Sequence, residues 1–473
     1  LLTSELNRWE KERIMEKTSK VVVIGCSGCG ALAGRMLKKL KPSLDVTILR
    51  EQEEQGLLTR CATPYICCGR AMVDQSYKDD GIFIAQSIKL VNVGATEINR
   101  KQKVVTTANG EIYSYDKLVL ATGAKATIPP IPGVRLPGVF TLRTSQDAIN
   151  ILHWMNFKRV KNVTLIGAGA IGIEIAYLVA QHGVKVMLVE MLEHVMQAVL
   201  DADMSEQLEE YIKNKGIDLR LNQKVDAIKG EDRVESVVLS SNEDAKADMV
   251  IISAGVRANT ELAEKACLQI GELGLKVNEY LQTSDPDIYA AGDVIQYENH
   301  ITGKPMVGQL RPNAVIGGRV IAKNILGYKI KFPRLVNSFA TKFFDKSIAG
   351  AGITESQAEN EGIEVVSARQ KSASKHSMMR GGKPYTVKLI FDKNSEKVIG
   401  GQIISDSECP VKHIDVIAVA IRFGLNVVDL TTLRCAGQPE LSPDPGMEPI
   451  SLAAEEVFGK LYSWKGCADG SNN

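Results

Sequence analysis

Two glycine-rich turns of one kind constrain this chain more than any other feature. Val21-Val22-Val23-Ile24-Gly25-Cys26-Ser27-Gly28-Cys29-Gly30 is an apolar strand running into a tight loop, and Val163-Thr164-Leu165-Ile166-Gly167-Ala168-Gly169-Ala170-Ile171-Gly172 repeats the pattern. Each reads as strand, turn, helix. This is the opening of a βαβ unit that sets a dinucleotide pyrophosphate on a helix N-terminus, where unpaired N–H groups favour an anion. One such turn is a weak signal; two imply a pair of dinucleotides held face to face. Cys61, in Arg60-Cys61-Ala62-Thr63-Pro64-Tyr65, gives the electrons a destination.

The chain of 473 residues has room for roughly three domains of ~150 residues. Lys+Arg of 57 against Asp+Glu of 56 argues against a nucleic-acid surface or a polybasic membrane anchor. No apolar run reaches the roughly 18 residues of a spanning helix; the richest, Val416 to Ile421, is cut by Arg422. Residues 1–20 alternate charged and isolated apolar side chains, as an exposed polar extension does, and lack a secretory pattern. Nine cysteines in that context fit free thiols in a reducing compartment, with the cytoplasm as the default.

The first βα unit comprises a strand at 21–24 and a helix at 30–40, followed by a strand at 45–49. A hairpin arm over 110–123 enters a buried strand ending at Thr122-Gly123, and the proline-rich stretch 128–133 marks a boundary. In the second unit, strands 163–166 and 184–189 flank a helix at 172–182. The segment 287–294 is again a strand ending in Gly-Asp, which reads as a return to the first domain. From about 335, strands near 337–344, 363–369, 384–391 and 398–405 precede helices near 411–424 and 447–458, an α+β layout. The expected divisions are an extension at 1–20, a first domain of 21–144 with 266–334, a second of 145–265, and a third of 335–473.

In the first turn Gly25 permits the bend, Gly30 close helix packing, and Gly34 packing one turn later; Ser27 stands where a middle glycine is usual. In the second, Gly167, Gly169 and Gly172 are all in place. Glu190 ends the next strand, where a carboxylate accepts hydrogen bonds from adenosine ribose hydroxyls and repels a 2′-phosphate. Met191 follows with no Arg adjacent, which favours NADH over NADPH. Arg50 occupies the corresponding strand end in the first unit. Either Glu51 takes the ribose contact while the Arg50 guanidinium lies against adenine, or Arg50 points to solvent.

A thiolate is the reactive form of Cys61, and neighbouring cations such as Arg60 favour it. Cys67 and Cys68 offer either a second thiol or core packing. Zinc binding by these three lacks a nearby His and the usual paired spacing, so no metal is assigned. Cys26-x-x-Cys29 has dithiol spacing but sits inside a phosphate turn, where two small side chains are the simpler meaning. Cys467 is either a shuttle thiol or an ordinary surface cysteine. The histidines at 153, 182, 194, 300, 376 and 413 do not cluster, and none is assigned to catalysis.

Together these residues resemble the pyridine nucleotide-disulfide oxidoreductases, in the single-cysteine branch of coenzyme A-disulfide reductases, NADH oxidases and peroxidases, and NAD-dependent persulfide reductases. The resemblance runs from Val21 to about Ala454. It rests on Cys61-x-x-Pro64-Tyr65, Ala121-Thr122-Gly123, Gly167-x-Gly169-x-x-Gly172-x-Glu174, Leu200-Asp201-x-Asp203-Met204 and Ala291-Gly292-Asp293. It implies an α/β chain with two Rossmann-like domains, an FAD domain into which an NAD domain is inserted, and a C-terminal α+β dimerisation domain. It places Gly25, Ser27, Gly28, Gly30, Arg50, Glu51, Arg60, Thr122, Gly123 and Asp293 at FAD, with Asp293 on the ribityl chain. Gly167, Gly169, Ile171, Gly172, Glu174, Glu190 and Gly255 fall at NAD, with Glu174 near the nicotinamide.

Peroxidases and water-forming oxidases of this type carry a His in the first turn, where this chain has Gly28. Met378 and Met379, and the Cys435-Ala436-Gly437-Gln438-Pro439 stretch, stand where coenzyme A-disulfide reductases have tyrosines. In the family dimer Cys435 would approach the other subunit's active thiol. The expected activity is hydride transfer from NADH to FAD, followed by reduction of a sulfur bond at Cys61. The substrate is a small sulfur compound (a persulfide, polysulfide, sulfur or a small-thiol disulfide, coenzyme A derivatives among them). A homodimer or dimer of dimers is expected, with no nucleic-acid or membrane partner. The alternatives are an NADH oxidase using oxygen and an electron-transfer reductase for a small redox protein.

Overall fold

The computed structural model describes residues 18–51 and 56–462. The extension over 1–17 and Cys467 lie outside them. The expected extension of 1–20 is shorter at its end, because Lys20 is already the first residue of a strand.

Two five-stranded sheets repeat one plan. The first runs Ile288–Ala290, Lys117–Leu120, Lys20–Ile24, Asp45–Leu49, Lys89–Val91; the second runs Val139–Thr141, Met249–Ile252, Asn162–Ile166, Lys185–Val189, Asp218–Arg220. Every pairing in both is parallel. A parallel sheet is covered on both faces, so its central strands read as unbroken apolar runs, as Val21 to Ile24 and Val186 to Val189 do. The turn-bearing strand is central in each, and its backbone bonds repeat. The N–H of Gly25 donates to Leu49 O (2.9 Å) and that of Gly167 to Val189 O (2.8 Å).

The strand Ile288–Ala290 completes the first sheet from beyond the second. The departing chain, Ala124–Ala126, and the returning chain, Val256–Ala258, pair antiparallel as a two-stranded ribbon. The expected boundary at 145 falls earlier. Val139–Thr141 pairs with Met249–Ile252, and Ile131, Val134 and Leu136 pack on the second unit's core, because the proline-rich stretch is folded onto that unit instead of spanning a gap.

Five helices carry or flank the glycine turns and the thiol segment: α1 (Gly28–Leu40), α2 (Thr63–Cys67), α3 (Ser145–Phe157), α4 (Ala170–Ala180) and α5 (Arg311–Ile325). Helices α1 and α4 come directly after the two turns, each beginning two residues earlier than expected. Helix α3 opens on a capping box, in which Thr144 and Asp147 each satisfy the other's backbone N–H.

The third unit is an antiparallel sheet in the order Phe339–Phe343, Lys346–Gly352, Val398–Ser405, Pro384–Asp392, Val365–Ala373. The helices Ile414–Phe423 and Pro449–Tyr462 pack on it. The strand Lys346–Gly352 was not anticipated from sequence; its Ala and Gly residues fit close sheet packing but carry weak strand propensity.

The third unit is joined to the second through a charge cluster around a buried lysine–aspartate pair. Lys388 is 4% exposed, and its Nζ lies 2.8 Å from both Asp203 and Glu355 and 3.1 Å from Asp201. Gln402 donates to Asp201 at 2.7 Å.

A candidate redox site between two nucleotide cradles

The first cradle is built by close backbone approach. Gly25 has φ +101°, and a Cβ there would sit 2.2 Å from Ala121 O; one on Gly30 would sit 1.9 Å from Gly25 O. Gly34 lies against Ile48, as its spacing predicts. Ser27 is the N-cap of α1 and makes no side-chain capping bond, and no acid occupies the first turn. That leaves the helix N-terminus suited to a pyrophosphate.

The second cradle is nearly the same object. Gly167 has φ +104° and Ser253 O 2.8 Å from its would-be Cβ; for Gly172 the clash is again 1.9 Å, with Gly167 O. Around Gly169 and Gly255 that position is open, with nothing within 4 Å. Ile171 is half exposed beside them. The Glu190 carboxylate is buried and accepts the N–H of Ala168 (2.7 Å) and of Leu192 (3.0 Å). It thus braces the turn while remaining at the strand end where a ribose would arrive. Both cradles fit a dinucleotide.

Arg50 is a correction. It is 2% exposed, with its guanidinium bidentate on Asp80 (2.8 and 2.7 Å) and Nε donating to Asn92 (2.9 Å). A buried guanidinium must be paired, and this one is committed to Asp80 and Asn92, so it does not point to solvent. The neighbouring exposed residue is Glu51.

Gly28 opens α1 and faces α5, with Ala314 Cβ 3.3 Å from its would-be Cβ. A Cβ at this position would be in tight contact with that helix. Cys29 is buried in the same crowded contact, where burial and Asp293 push its thiol up to about 12. The small-side-chain reading of Cys26-x-x-Cys29 therefore holds at Cys29.

Asp293 follows Gly292 and forms an ion pair with Arg143 at 2.6 Å. Arg143 Nε also donates to Ala124 O (3.2 Å), and Arg143 O accepts from Arg60 Nη1 (2.9 Å). Thr122 Oγ1 donates to Asn259 O (2.9 Å), and Asn259 N–H donates to Gly123 O (2.9 Å). Arg143 escaped the sequence reading. Its only local signal is its position just before a capping box, which says nothing about a side chain reaching Asp293.

Cys61 is exposed, on the single-turn 3₁₀ segment Arg60–Ala62 that leads into α2. Beyond it Ile66, Cys67 and Cys68 are buried in the core of the second unit. Cys67 and Cys68 sulfurs are 3.6 Å apart, and Cys67 Sγ donates to Pro64 O at 3.0 Å. The neighbouring thiol and burial push the Cys67 thiol well above its ordinary range. These two cysteines pack; every cysteine among the described residues is a free thiol.

The same segment meets α4. The Tyr65 phenol lies beside the Glu174 carboxylate; burial and that charge push the phenol up to about 12. Burial likewise raises the Glu174 carboxyl, and the Tyr65 hydroxyl opposes the rise. Arg70 Nη1 donates to Tyr177 OH at 3.3 Å, and His182 Nε2 lies 2.9 Å from Cys68 O.

In the third unit His376 ties the methionine segment to the Cys435 loop. Its N–H donates to Pro439 O (2.9 Å) and its Nε2 lies 3.0 Å from Asp444. Met378 is exposed and Met379 half-buried. Cys435 is exposed in the single chain, and its thiol is raised by burial and by Glu448. Among the described residues no group of three His, Cys, Asp or Glu side chains is placed to hold a metal. No helix among them is long and apolar enough to cross a membrane.

Comparison with known proteins agrees with this geometry. Residues 19–318 match the family described as pyridine nucleotide-disulphide oxidoreductase, and residues 338–446 match its dimerisation domain. A protein of Methanocaldococcus jannaschii named NADH oxidase is 34% identical over 455 residues, covering 93% of this chain and 99% of that one. The NAD(P)H coenzyme A polysulfide/persulfide reductase of Pyrococcus horikoshii is 35% identical over 429 residues, covering 90% and 95%. The solved NAD-dependent persulfide reductase of A. fulgidus superposes with a TM-score of 0.89 at 31% identity, covering 93% of this chain and 83% of that one. The chain belongs to the pyridine nucleotide-disulphide oxidoreductase family, as an NADH-dependent flavoprotein reductase with FAD and NADH as its cofactors and the family's dimerisation domain at its C-terminal side.

Proposed function

We propose that this flavoenzyme reduces a persulfide, polysulfide or elemental sulfur, or the disulfide of a small thiol, through Cys61. In this reading the first cradle takes FAD, with Glu51 at the ribose and Asp293 at the ribityl chain. The second takes NADH, with Glu174, Glu190 and Gly255 around it. The observation that carries the reading is the placement of Cys61. It lies exposed on a segment tied to both cradles, through Arg60 to Arg143 and Asp293 on one side and through Tyr65 beside Glu174 on the other.

Bound FAD supplies the two-electron link between NADH and sulfur. The Cys61 thiolate attacks one sulfur of the S–S bond, expelling the other as a thiolate or hydrosulfide and leaving a mixed disulfide or persulfide on Cys61. Two electrons then cleave that bond and restore the thiolate. For a persulfide the balance is RSSH + NADH + H⁺ giving RSH + H₂S + NAD⁺. The buried Thr63, Pro64 and Ile66 back the segment on its inner side.

Relatives named as a coenzyme A polysulfide/persulfide reductase and a CoA-dependent sulfur oxidoreductase support sulfur as the acceptor. Met378, Met379 and Cys435, in place of the expected tyrosines, turn the reading from coenzyme A disulfide itself toward persulfides. In the proposed dimer Cys435 would approach the active thiol of a second copy. A homodimer is proposed through the third unit, where Val416, Val419 and Phe423 leave an apolar face exposed on one helix. The free thiols suit a cytoplasmic setting.

Oxygen is the second reading, favoured by the M. jannaschii relative's name. Gly28 offers no imidazole to help protonate a peroxide oxygen, which weakens the peroxide-cleaving version of this reading. Direct reduction of a small redox protein needs no thiol. NADH oxidation should be followed with oxygen, peroxide, polysulfide, persulfides and disulfides, for the wild type and Cys61→Ser. Sulfur-dependent turnover that vanishes in the variant supports the proposal; turnover that survives removes it.

A further inference from the structure

We infer that Asp201 is a positioning residue for NADH: its buried carboxylate couples the third unit to the second glycine turn and makes that unit a structural part of the nucleotide site. The inference rests on the assignment of the second cradle to NADH proposed above.

The geometry begins at Ala168, the middle residue of the turn from Gly167 to Gly169. It is fully buried, and both its backbone polar groups are spent on the chain beyond the strand Lys185–Val189. Its N–H donates to Glu190 Oε2 (2.7 Å), and its O accepts the N–H of Met196 (3.0 Å). Met196 O in turn accepts the N–H groups of Val199 (2.8 Å) and Leu200 (3.0 Å), so residues 196–200 close into one tight turn. Met196 has φ +53°, a left-handed conformation that a bulky residue adopts only where its surroundings impose it.

Those surroundings come from two directions. From the second unit, Glu209 accepts the N–H of Val195 (3.1 Å) and Ser205 Oγ donates to Val195 O (2.8 Å). From the third unit, Gln357 Nε2 donates to Ala198 O (2.9 Å), and a Cβ on Gly350 would lie 3.1 Å from Val199 O. Asp201 ends the segment. Its N–H donates to Gln402 Oε1 (2.9 Å), and its carboxylate accepts from Gln402 Nε2 (2.7 Å) and from the Glu355 N–H (2.8 Å). Asp201 is also the N-cap of the helix Ala202–Asn214, where an aspartate ordinarily accepts an N–H of the helix's own first turn. Here the side chain makes no such bond; its partners Gln402, Glu355 and Lys388 all belong to the third unit. A displacement of Asp201 is carried by the closed turn to Met196 and from there to Ala168 O. The glycine turn that must approach a pyrophosphate is thus held in place from outside its own unit.

The test measures NAD⁺ affinity of the oxidised holoenzyme, so it depends on no sulfur acceptor; flavin affinity and Tm are followed beside it. Asp201→Asn turns an acceptor into a donor facing Gln402 Nε2 and Lys388. It should raise the NAD⁺ Kd about 5-fold with flavin affinity unchanged. Adding Gln402→Glu restores the match, since its two oxygens accept from the backbone N–H of residue 201 and from the new amide. The double variant should regain most of the affinity. Gln357→Glu keeps the capping box with Thr354 and removes only the donor to Ala198 O. Its Tm should stay near the wild-type value while the NAD⁺ Kd rises about 2- to 3-fold. This variant decides alone if Asp201→Asn does not hold its flavin. Wild-type NAD⁺ affinity in both single variants overturns the inference. So does a joint loss of Tm, flavin and NAD⁺ affinity that the double variant does not recover. Gly169→Ala is the control: if it leaves NAD⁺ binding unchanged, the cradle assignment falls, and the inference with it.

Discussion

Arg143 and Asp293 meet at 2.6 Å across the boundary between the first and second units, and the backbone of Arg143 also anchors Arg60, the neighbour of the exposed thiol. Through its side chain and its carbonyl, one residue thus ties Asp293 of the first cradle to the Cys61 segment. Both partners are mostly shielded from solvent, so the pair is worth more than a surface ion pair.

Arg143→Ala should therefore release Asp293, while the Arg143 carbonyl that accepts from Arg60 stays in place. The expected cost is about 1.5 to 3 kcal/mol, that of losing hydrogen bonds to a charged group. It is measured as loss of bound flavin, from the ratio of visible to ultraviolet absorbance, and as a lower Tm. Arg143→Lys should recover only part of the flavin, because an ammonium cannot reach Asp293 and Ala124 O in the same fork.

Two glycines of one turn should behave differently. Gly169→Ala meets nothing within 4 Å in the protein alone, so Tm should stay near the wild-type value while NADH affinity falls at least tenfold. Gly172→Ala places its Cβ 1.9 Å from Gly167 O, so stability and affinity should fall together. Calorimetry beside NADH titration separates the two. A stable Gly169→Ala with unchanged affinity would show that the backbone there does not approach the nucleotide.

Lys388 should be costly to remove alone. Lys388→Met leaves Asp201 and its neighbours without their buried counter-charge, a loss of about 3 to 5 kcal/mol. The Lys388 ammonium is held above its ordinary range by hydrogen bonds to Asp203 and Glu355, against the pull of burial. A raised lysine contributes stability that is fully present below the unfolded value, about 10.4, and is lost as pH rises through the folded one. Wild-type Tm should thus fall above about pH 10, and that alkaline component should be missing from Lys388→Met.

The cysteines should divide by accessibility. Brief alkylation of the native protein, read by peptide mass spectrometry, should modify Cys61 and leave Cys29, Cys67 and Cys68 intact, since those three are buried and two carry raised thiols. Labelling of Cys67 at the rate of Cys61 would mean that the segment does not dock on the second unit as described.

The two turns were legible because their chemistry is local. A strand, a φ near +100° and a close helix require small residues at fixed spacing, and Gly25, Gly30, Gly167 and Gly172 meet that requirement. Cys61 was legible through its neighbours. Arg50 was misread because strand-end position says where a side chain starts, while Asp80 and Asn92, which capture it, come from a later loop. Lys388 and Arg143 were invisible for the same reason, since each acts on residues far away in the chain. The motif Asp201-x-Asp203 was noticed, but its purpose needed Lys388 beside it. The boundary near 145 failed because proline content signals extended backbone and does not say against which core it lies.

The ribbon formed by Ala124–Ala126 and Val256–Ala258 has a consequence for how such a protein came about. The outgoing and incoming strands run side by side, and Asn259 N–H reaches back to Gly123 O, so the chain leaves and re-enters the first unit at one place. A whole folding unit with close-set ends can be spliced into a surface loop of another while leaving both architectures intact. By the same token, a shortened polypeptide that connects residue 123 directly to 259 would have almost no gap to bridge, but it would strip away the core on which Ile66, Cys67 and Cys68 pack.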